Sequence, residues 1–326
     1  MKAVLCKQYG PPETLVFEEL PSPAPKAGEV VVSVKAASLN FPDVLIIENK
    51  YQVKPPLPFS PGSDLAGVVK TVGEGVTNVK PGDRVFAITG YGAFAEEVVV
   101  ESKRLIPVPT GMDFPTAAAF ALTYATSDHA LRDRGELKAG ETLLVLGASG
   151  GVGLAAIEIG KIVGATVIAC ASSLAKLSVC REHGSDDGIN YATEDLRERI
   201  KVLTGRKGPD VIYDSVGGPY TEPALRSIAW RGRLLVVGFA AGEIPKIPLN
   251  LTLLKGCSIV GVFWGDFARR EPARFAESIR QLGAWYAEGR LKPHISATLP
   301  LARAADALKM MAGRKVTGKI VLTTLG

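Results

Sequence analysis

The sequence has few of the residues from which disulfide frameworks and metal sites are built. Its 326 residues include four cysteines and three histidines. The cysteines show no CxxC spacing, so we expect free thiols in a reducing cytosol: Cys6, Cys170, Cys180 and Cys257. The histidines (His129, His183 and His294) are scattered and far from any cysteine pair. A zinc site made of these two residue types is therefore not expected.

Long apolar runs and nucleic-acid-binding patterns are also lacking. No apolar run reaches the roughly 18 residues of a membrane span, and the N-terminus enters a strand pattern without the composition of a signal peptide. The net charge of +5 is spread along the chain. Its densest basic runs, 201–207 and 269–270, have no interleaved aromatic residues and indicate solvated faces. We therefore expect a cytoplasmic protein without membrane or nucleic-acid partners.

Two different patterns of secondary structure follow one another along the chain, whose length suits two domains. Residues 1–122 are predicted to be all-β, a compact barrel or sandwich, because short Val-rich runs alternate with Pro and Gly turns. From residue 123, strands and helices alternate, which predicts a six-stranded doubly wound parallel sheet. Its strands are expected at 142–146, 165–169, 187–189, 209–213, 233–237 and 257–262. The tail after residue 265 has no place in that sheet, so it is predicted to return to the N-terminal domain and leave a cleft.

The strongest chemical signal is a glycine turn between an apolar strand and a helix. The strand 142–146 runs into Gly-Ala-Ser-Gly-Gly-Val-Gly at 147–153, and an apolar helix follows. Glycines let the backbone approach a phosphate, and the free amides of a helix start face its negative charge. The segment therefore predicts a site for the pyrophosphate of a dinucleotide.

The end of the second strand indicates which dinucleotide is bound. NAD-binding versions of this unit carry an Asp or Glu about 20 residues beyond the turn, on the adenosine ribose. Here the strand at 165–170 is followed by small hydroxyl residues and a lysine, Ser172 and Lys176 among them. This pattern favours NADPH, whose 2′-phosphate a lysine would bind. The alternative is that Lys176 is a solvated residue of the second helix.

Several further motifs occur in a recognisable order. They lie at 39–43, 61–67, 82–85, 122–127, 214–218 and 317–319, with the glycine turn among them. With them the chain resembles the zinc-independent branch of the medium-chain dehydrogenase/reductase superfamily, the quinone oxidoreductases related to ζ-crystallin. The resemblance implies an α/β fold in which a Rossmann domain (123–264) is inserted into a GroES-like β-barrel domain (1–122 and 265–326). It also implies a homodimer formed through the sixth strands.

The resemblance also bears on metal. Zinc-dependent relatives supply a cysteine, a histidine and a second cysteine, and this chain has Asn40, Ser63 and Leu122 at the matching places. The four-cysteine lobe of structural zinc is replaced by a short turn at 90–93. We therefore expect no metal, which excludes alcohol oxidation because nothing would acidify a bound hydroxyl. Acceptors that are already electrophilic remain, namely quinones and α,β-unsaturated carbonyls.

Two residues are candidates for catalysis. Asn40 takes the place of the zinc cysteine, and the resemblance directs its amide towards the nicotinamide or a substrate carbonyl oxygen; alternatively it holds its own turn. Tyr51 matches a tyrosine near the substrate pocket of relatives and is a candidate proton donor or quinone-stacking residue, or simply lines the cleft. A second pocket tyrosine of bacterial members is replaced here by Leu45, a departure that bears on quinone specificity.

The remaining candidate residues are expected to bind the cofactor. Thr126 is assigned to the nicotinamide end, or else caps a helix, and Tyr191 to the adenosine phosphate, or else to packing. Arg314 aligns with an arginine that reaches the cofactor in relatives, or is a surface residue. The full predicted cofactor set is Asn40, Thr126, Gly150, Gly151, Val152, Ser172, Lys176, Tyr191, Gly238, Phe239, Phe263, Trp264, Gly265 and Arg314.

Together these features predict an NADPH-dependent oxidoreductase that transfers hydride to a quinone or another conjugated carbonyl without a metal. One alternative is an enoyl-, acryloyl-CoA or enone reductase on the same scaffold, for which a proton must reach the α-carbon. A non-enzymatic alternative is a structural or RNA-binding role like that of ζ-crystallin relatives. The intact glycine turn opposes this last alternative.

Overall fold

A computed structural model describes residues 1–324 as two compact units. The first unit consists of Met1–Leu122 together with the chain from Ile295 onward, and the second of Thr123–His294. The strands are β1 Lys2–Leu5, β2 Val16–Glu19, β3 Glu29–Ser38, β4 Asp64–Val72, β5 Arg84–Ile88, β6 Glu97–Glu101, β7 Ile106–Pro107, β8 Thr142–Leu146, β9 Thr166–Ala171, β10 Asp187–Asn190, β11 Val211–Asp214, β12 Arg233–Val236, β13 Ser258–Gly261, β14 Ile295–Pro300 and β15 Lys319–Thr323. The helices are α1 Phe41–Ile47, α2 Phe114–Asp128, α3 Gly151–Val163, α4 Leu174–Glu182, α5 Leu196–Leu203, α6 Thr221–Arg226, α7 Asn250–Lys255, α8 Trp264–Arg270, α9 Pro272–Ala287 and α10 Ala304–Ala312.

The second unit is built on the predicted six-stranded parallel sheet. Its strand order is β10-β9-β8-β11-β12-β13, and every neighbouring pair is parallel. The central strands read as continuous apolar runs because both faces of a parallel sheet are covered; the apolar residues of β8 and β11 are fully buried. The strand order reverses between β8 and β11, where open sheets of this kind bind ligands at their carboxyl edge. The predicted doubly wound sheet is thus confirmed.

The first unit contains a seven-stranded sheet with order β14-β15-β3-β4-β5-β7, and β6 also pairs with β3. All its pairs are antiparallel except β14 with β15. A separate antiparallel pair joins β1 and β2. The tail strands β14 and β15 therefore complete the N-terminal sheet, as the sequence predicted.

The all-β prediction for residues 1–122 is wrong in two places. The segment Phe41–Ile47 forms α1, and α2 begins at Phe114 rather than after residue 122. Helix α1 is too short for its apolar residues to show a helical period. However, Pro42 stands in its first turn, and the Asp43 carboxylate accepts a hydrogen bond from the Asn40 backbone N–H (2.7 Å). These are helix-start signals that an alternation count overlooks.

Residues 265–294, which the sequence analysis placed with the barrel, belong to the compact unit of the parallel sheet. Helix α9 is held there by side-chain bonds to the end of α2 and the helical turn after it. Ser278 donates to Asp128 (2.6 Å) and Arg274 to Asp133 (2.6 Å). The chain rejoins the first unit at Ile295, and positions 325–326 of the predicted domain lie outside the described residues. Within residues 1–324, no helix has the length and apolar character to cross a membrane.

Candidate active site

The glycine turn connects β8 to α3 with very little room. Gly147 has a φ of +70°, a left-handed conformation that favours glycine. The Gly150 N–H donates to the Gly147 carbonyl (3.1 Å) and closes the turn. A Cβ on Gly153 would lie 2.4 Å from the Gly147 carbonyl oxygen, so α3 approaches the turn more closely than any side chain allows.

This packing leaves the amides of the helix start available. Helix α3 begins at Gly151, and the first N–H groups of a helix, here those of Gly151 and Val152, have no acceptor within the helix. They lie at the positive end of the helix dipole, which suits a pyrophosphate. The Gly150 amide, also predicted to bind phosphate, is instead engaged by the turn itself.

Helix α2 is tied to this helix start. Ser127 donates a hydrogen bond from Oγ to the Val152 carbonyl (2.8 Å) and shares another with the buried Tyr213 hydroxyl (2.9 Å). The neighbouring Thr126 lies within α2 and is half-buried. Its predicted alternative role as a helix cap is not seen, because α2 continues to Asp128.

The end of β9 carries the predicted adenosine contacts. Lys176 donates from Nζ to the Ser172 hydroxyl (3.3 Å), which brings the ammonium group and the exposed serine together. Ser173 caps α4 by accepting from the Lys176 backbone N–H (3.3 Å). Tyr191 packs against Tyr220 with ring centroids 4.3 Å apart. A lysine beside a hydroxyl at a helix start has the chemistry to bind a phosphate.

The loops after β11 and β12 meet the glycine turn at the carboxyl edge of the sheet. Ser215 donates to the Leu146 carbonyl (3.1 Å), and the Gly238 N–H donates to the Asp214 carbonyl (3.3 Å). The Asp214 carboxylate accepts from the backbone N–H groups of Val216 and Gly217 and from the Thr221 hydroxyl, and is therefore a structural acceptor rather than a base.

The aromatic and glycine candidates that follow β12 and β13 differ in exposure. Phe239 and Phe263 are 36% and 59% exposed, whereas Trp264 is buried and packs edge-on against Phe275 (5.8 Å between centroids). Gly265 is exposed near the start of α8. Trp264 is thus held by the protein core, and Phe239 and Phe263 present surface to solvent.

In the first unit, Asn40 is the centre of a buried polar network. Its Nδ2 donates to Asp64 (2.8 Å) and to Ser63 (3.2 Å), and its Oδ1 accepts from the Lys319 ammonium (2.6 Å). Ser63 also donates to Asp43 (3.3 Å). Since an amide has two N–H groups, a direct bond from Asn40 to a substrate oxygen requires one of its donors to exchange partners.

The charges of this network are almost completely removed from water. Asp43 and Asp64 are each 1% exposed and Lys319 is 4% exposed. Burial raises the pKa of Asp43 to about 7, and the charge of Asp64 adds to the shift. Burial also raises the pKa of Asp64 and lowers that of Lys319, although their opposite charges counteract both shifts. Two carboxyl groups thus compete for one ammonium group in a medium that penalises each charge.

The other first-unit candidates differ in burial. Tyr51 follows α1 and is half-buried; its burial and then the charge of Asp43 raise its pKa, so it stays a neutral phenol. Leu45 is half-buried on α1. Arg314 is exposed, with a left-handed φ of +55° in the turn after α10.

The sequence analysis missed three members of the network: Asp43, Asp64 and Lys319. Each stands inside a motif on which the resemblance rests, at 39–43, 61–67 and 317–319. The sequence signal that could have identified them is a charged residue among apolar ones at the end of a strand or helix. Such residues are rarely buried without a partner, and the partners here are distant in sequence.

Comparisons with known proteins agree with both units. The model of the alcohol dehydrogenase GroES-like domain matches residues 26–110, and that of the zinc-binding dehydrogenase matches residues 151–283. The chain is 38% identical over 326 residues to quinone oxidoreductase-like protein 2 homolog of Nematostella vectensis, covering 99% of this chain and 89% of that protein. It is 36% identical over 323 residues to quinone oxidoreductase of Pseudomonas aeruginosa, covering 98% and 99% of the two chains.

Solved structures show the same fold. Escherichia coli quinone oxidoreductase, determined in complex with NADPH, matches with a TM-score of 0.93 at 30% identity and covers 99% of this chain and 100% of its own. Quinone oxidoreductase of Pseudomonas syringae matches with a TM-score of 0.92 at 32% identity and covers 99% of each chain. The predicted fold, a GroES-like domain combined with a Rossmann domain, is confirmed.

Proposed function

This chain belongs to the quinone oxidoreductase family of the medium-chain dehydrogenase/reductase superfamily, and on that premise we propose that it is an NADPH-dependent reductase of quinones. The coarser activity, that of an oxidoreductase, follows from the family.

The observation that carries the cofactor proposal is the close packing of the glycine turn (147–153) against the start of α3. The Gly153 position cannot hold a Cβ, Gly151 and Val152 offer their amides, and Lys176 stands beside Ser172 at the end of the next strand. These residues fit a dinucleotide with a phosphorylated adenosine ribose. The NADPH bound to the Escherichia coli relative supports the same choice. We propose the rest of the predicted cofactor set on the resemblance alone, including Tyr191, Phe239, Phe263 and Arg314.

The donor set at Asn40 and Ser63 does not fit zinc. Catalytic zinc sites use three thiolate, imidazole or carboxylate ligands. An amide and a hydroxyl stand at Asn40 and Ser63, and the neighbouring Asp43 and Asp64 supply only two carboxylates. The Lys319 ammonium lies 2.6 Å from the Asn40 oxygen and would repel a divalent cation. In the described part of the chain, no group of three or more His, Cys, Asp or Glu residues is arranged to hold a metal ion. We therefore propose that the reaction proceeds without a metal.

The residues of the first unit are proposed to receive the acceptor. When bound, NADPH supplies a hydride to an electrophilic carbonyl compound. Tyr51 remains protonated because of burial and the nearby Asp43 charge, so its phenol can donate a hydrogen bond to a carbonyl oxygen. A quinone needs no further acid, since its reduced anion is stable and can take a proton from water. An enone needs a proton at the α-carbon. Asp43 has a pKa near 7, which would suit a donor, but it is 1% exposed and already accepts from the Asn40 backbone N–H (2.7 Å), so we propose that it does not supply this proton.

We also propose a homodimer formed along β13. This strand is the edge of the six-stranded sheet, and it leaves Ile259 38% exposed. Large apolar side chains nearby in sequence are even more exposed, including Leu249, Leu253 and Leu254 at 78%, 80% and 67%. An exposed apolar strand edge is a site of pairing with another chain. Sedimentation velocity would show a dimer, and a monomer at high concentration would contradict this assignment.

The experiment that tests the function compares acceptors. NADPH oxidation is measured with phenanthrenequinone and with acryloyl-CoA, each against a matched reaction with NADH. We expect turnover of the quinone with NADPH and much slower turnover of the thioester. Preferred turnover of acryloyl-CoA would establish the enoyl reductase alternative, and turnover of neither acceptor would refute the proposal.

A further inference from the structure

The network around Asn40 joins three segments that are remote in sequence. Asn40 and Asp43 flank the start of α1, Ser63 and Asp64 precede and begin β4, and Lys319 begins β15, 279 residues after Asn40. Lys319 also donates to the Leu39 carbonyl (2.6 Å). A single ammonium group therefore fixes both the backbone before Asn40 and its side chain.

The partners of Asn40 allow only one orientation of its amide. Lys319 can donate but not accept, and an ionised Asp64 can accept but not donate. Turning the amide over would place its NH₂ group against the ammonium and its oxygen against the carboxylate. The bonds of 2.6 Å and 2.8 Å therefore select the orientation in which Oδ1 faces Lys319 and Nδ2 faces Asp64.

The arrangement of charges in this network contributes little to the stability of the fold. Lys319 lies 4.0 Å from Asp64, too far for a hydrogen bond, and Asp64 Oδ1 is buried without a hydrogen-bond partner among residues 1–324. Buried ion pairs of this kind are often no better than apolar residues of similar volume. The charged groups that influence one another's pKa here are Asp43 on α1, Asp64 on β4 and Lys319 on β15, and the charge of Asp43 also raises the pKa of Tyr51.

We propose that Lys319 is a positioning residue, whose function is to hold the Asn40 amide in one orientation for the reacting molecules. Asp64 completes this arrangement from the other side of the amide and supplies the counter-charge. The role in the reaction rests on the proposed function, which assigns Asn40 to the reactants. The fixed orientation itself does not rest on it, so the two claims fail separately.

The test separates positioning from charge compensation with a pair of variants. Lys319→Met removes the ammonium and leaves two buried carboxyls, so both the melting temperature and the quinone turnover should fall. The double variant Lys319→Met/Asp64→Asn leaves Asp43 as the only carboxyl of the network and so restores the network's net charge, but it does not restore the donor to Asn40 Oδ1. We expect it to regain most of the melting temperature, while kcat stays about 100-fold below that of the unsubstituted protein, the usual cost of a misplaced reacting group. Lys309→Met, which removes an exposed ion pair with Glu13 on the same unit, is the matched control and should change neither.

Recovery of kcat together with the melting temperature in the double variant would overturn the proposal, because Lys319 would then only neutralise charge. A second measurement applies even if a variant does not fold. In the unsubstituted protein labelled with ¹⁵N-asparagine, the Asn40 side-chain amide protons should exchange slowly with water and give one pair of resonances. Rapid exchange or two pairs would contradict a fixed orientation, whether or not the protein reduces quinones.

Discussion

Replacing Gly153 with alanine should force α3 away from the glycine turn. The new Cβ would lie 2.4 Å from the Gly147 carbonyl oxygen and 2.6 Å from that of Ala148. Ordinary contacts of this kind begin at 3.4 Å, so the helix and the turn must separate by about 1 Å. Both opposing atoms belong to the backbone, which cannot yield by a change of rotamer.

Overpacking of this kind costs about 1–3 kcal/mol, and we expect the upper part of that range because backbone must move. The displacement also shifts the Gly151 and Val152 amides, so NADPH affinity should fall about tenfold or more, equivalent to at least about 1.4 kcal/mol. Urea unfolding would measure the first effect, and titration of NADPH fluorescence the second.

Gly150→Ala is the matched control in the same turn. Its Cβ would lie 3.5 Å from the Gly147 carbonyl oxygen, and its φ of −78° is open to alanine. The free energy of unfolding should therefore change by less than about 0.5 kcal/mol. Equal destabilisation by the two variants, or unchanged NADPH affinity in Gly153→Ala, would show that close packing at Gly153 does not shape the phosphate site.

Three further predictions concern the cofactor, the buried charges and a helix. Lys176→Ala should weaken NADPH by about 10- to 100-fold, the worth of a charge-assisted hydrogen bond, and leave NADH nearly unaffected; equal weakening in calorimetric titrations would refute the 2′-phosphate assignment. The folded-state pKa of Asp43 is raised to about 7, so the folded protein holds this proton more tightly than the unfolded chain does. The free energy of unfolding should therefore fall as the pH rises from about 4 to about 7, by up to about 1.4 kcal/mol per pH unit. Asp43→Asn should remove this decrease, and persistence of the slope in urea unfolding series would assign it to another group. Gly283→Ala, within α9 and with no atom within 4 Å of the new Cβ, should raise the free energy of unfolding by about 0.5–1 kcal/mol; a loss of stability would show that this glycine is needed for packing.

The parallel sheet could be predicted from sequence because its strands differ so clearly from the rest of the chain. Strands β8, β9 and β11 are continuous apolar runs buried on both faces, and glycine or proline residues interrupt the chain between them. The predicted bounds agree with the observed ones to within two residues at each end. The glycine turn could also be predicted from the sequence, since it depends on local backbone geometry.

Short and long-range features were harder to predict. Helix α1 has seven residues, which is too short for a helical period to separate from strand alternation. The place of residues 265–294 was missed because it depends on α9 contacts such as that of Ser278 with Asp128, 150 residues away. The Asn40 network was missed because it too depends on contacts between residues far apart in sequence. Lys319 follows a glycine at an ordinary strand start, and only the pairing of β15 with β3 brings it to Asn40.

The most direct test of the central claim is the rate of NADPH oxidation by phenanthrenequinone before and after exhaustive treatment with a chelator, with the metal content of the protein measured in parallel. A metal-independent NADPH reductase should hold less than stoichiometric zinc and keep its full rate after treatment. Loss of the rate with the metal and its recovery on adding zinc would contradict the account, because the Asn40 site would then have to bind a metal.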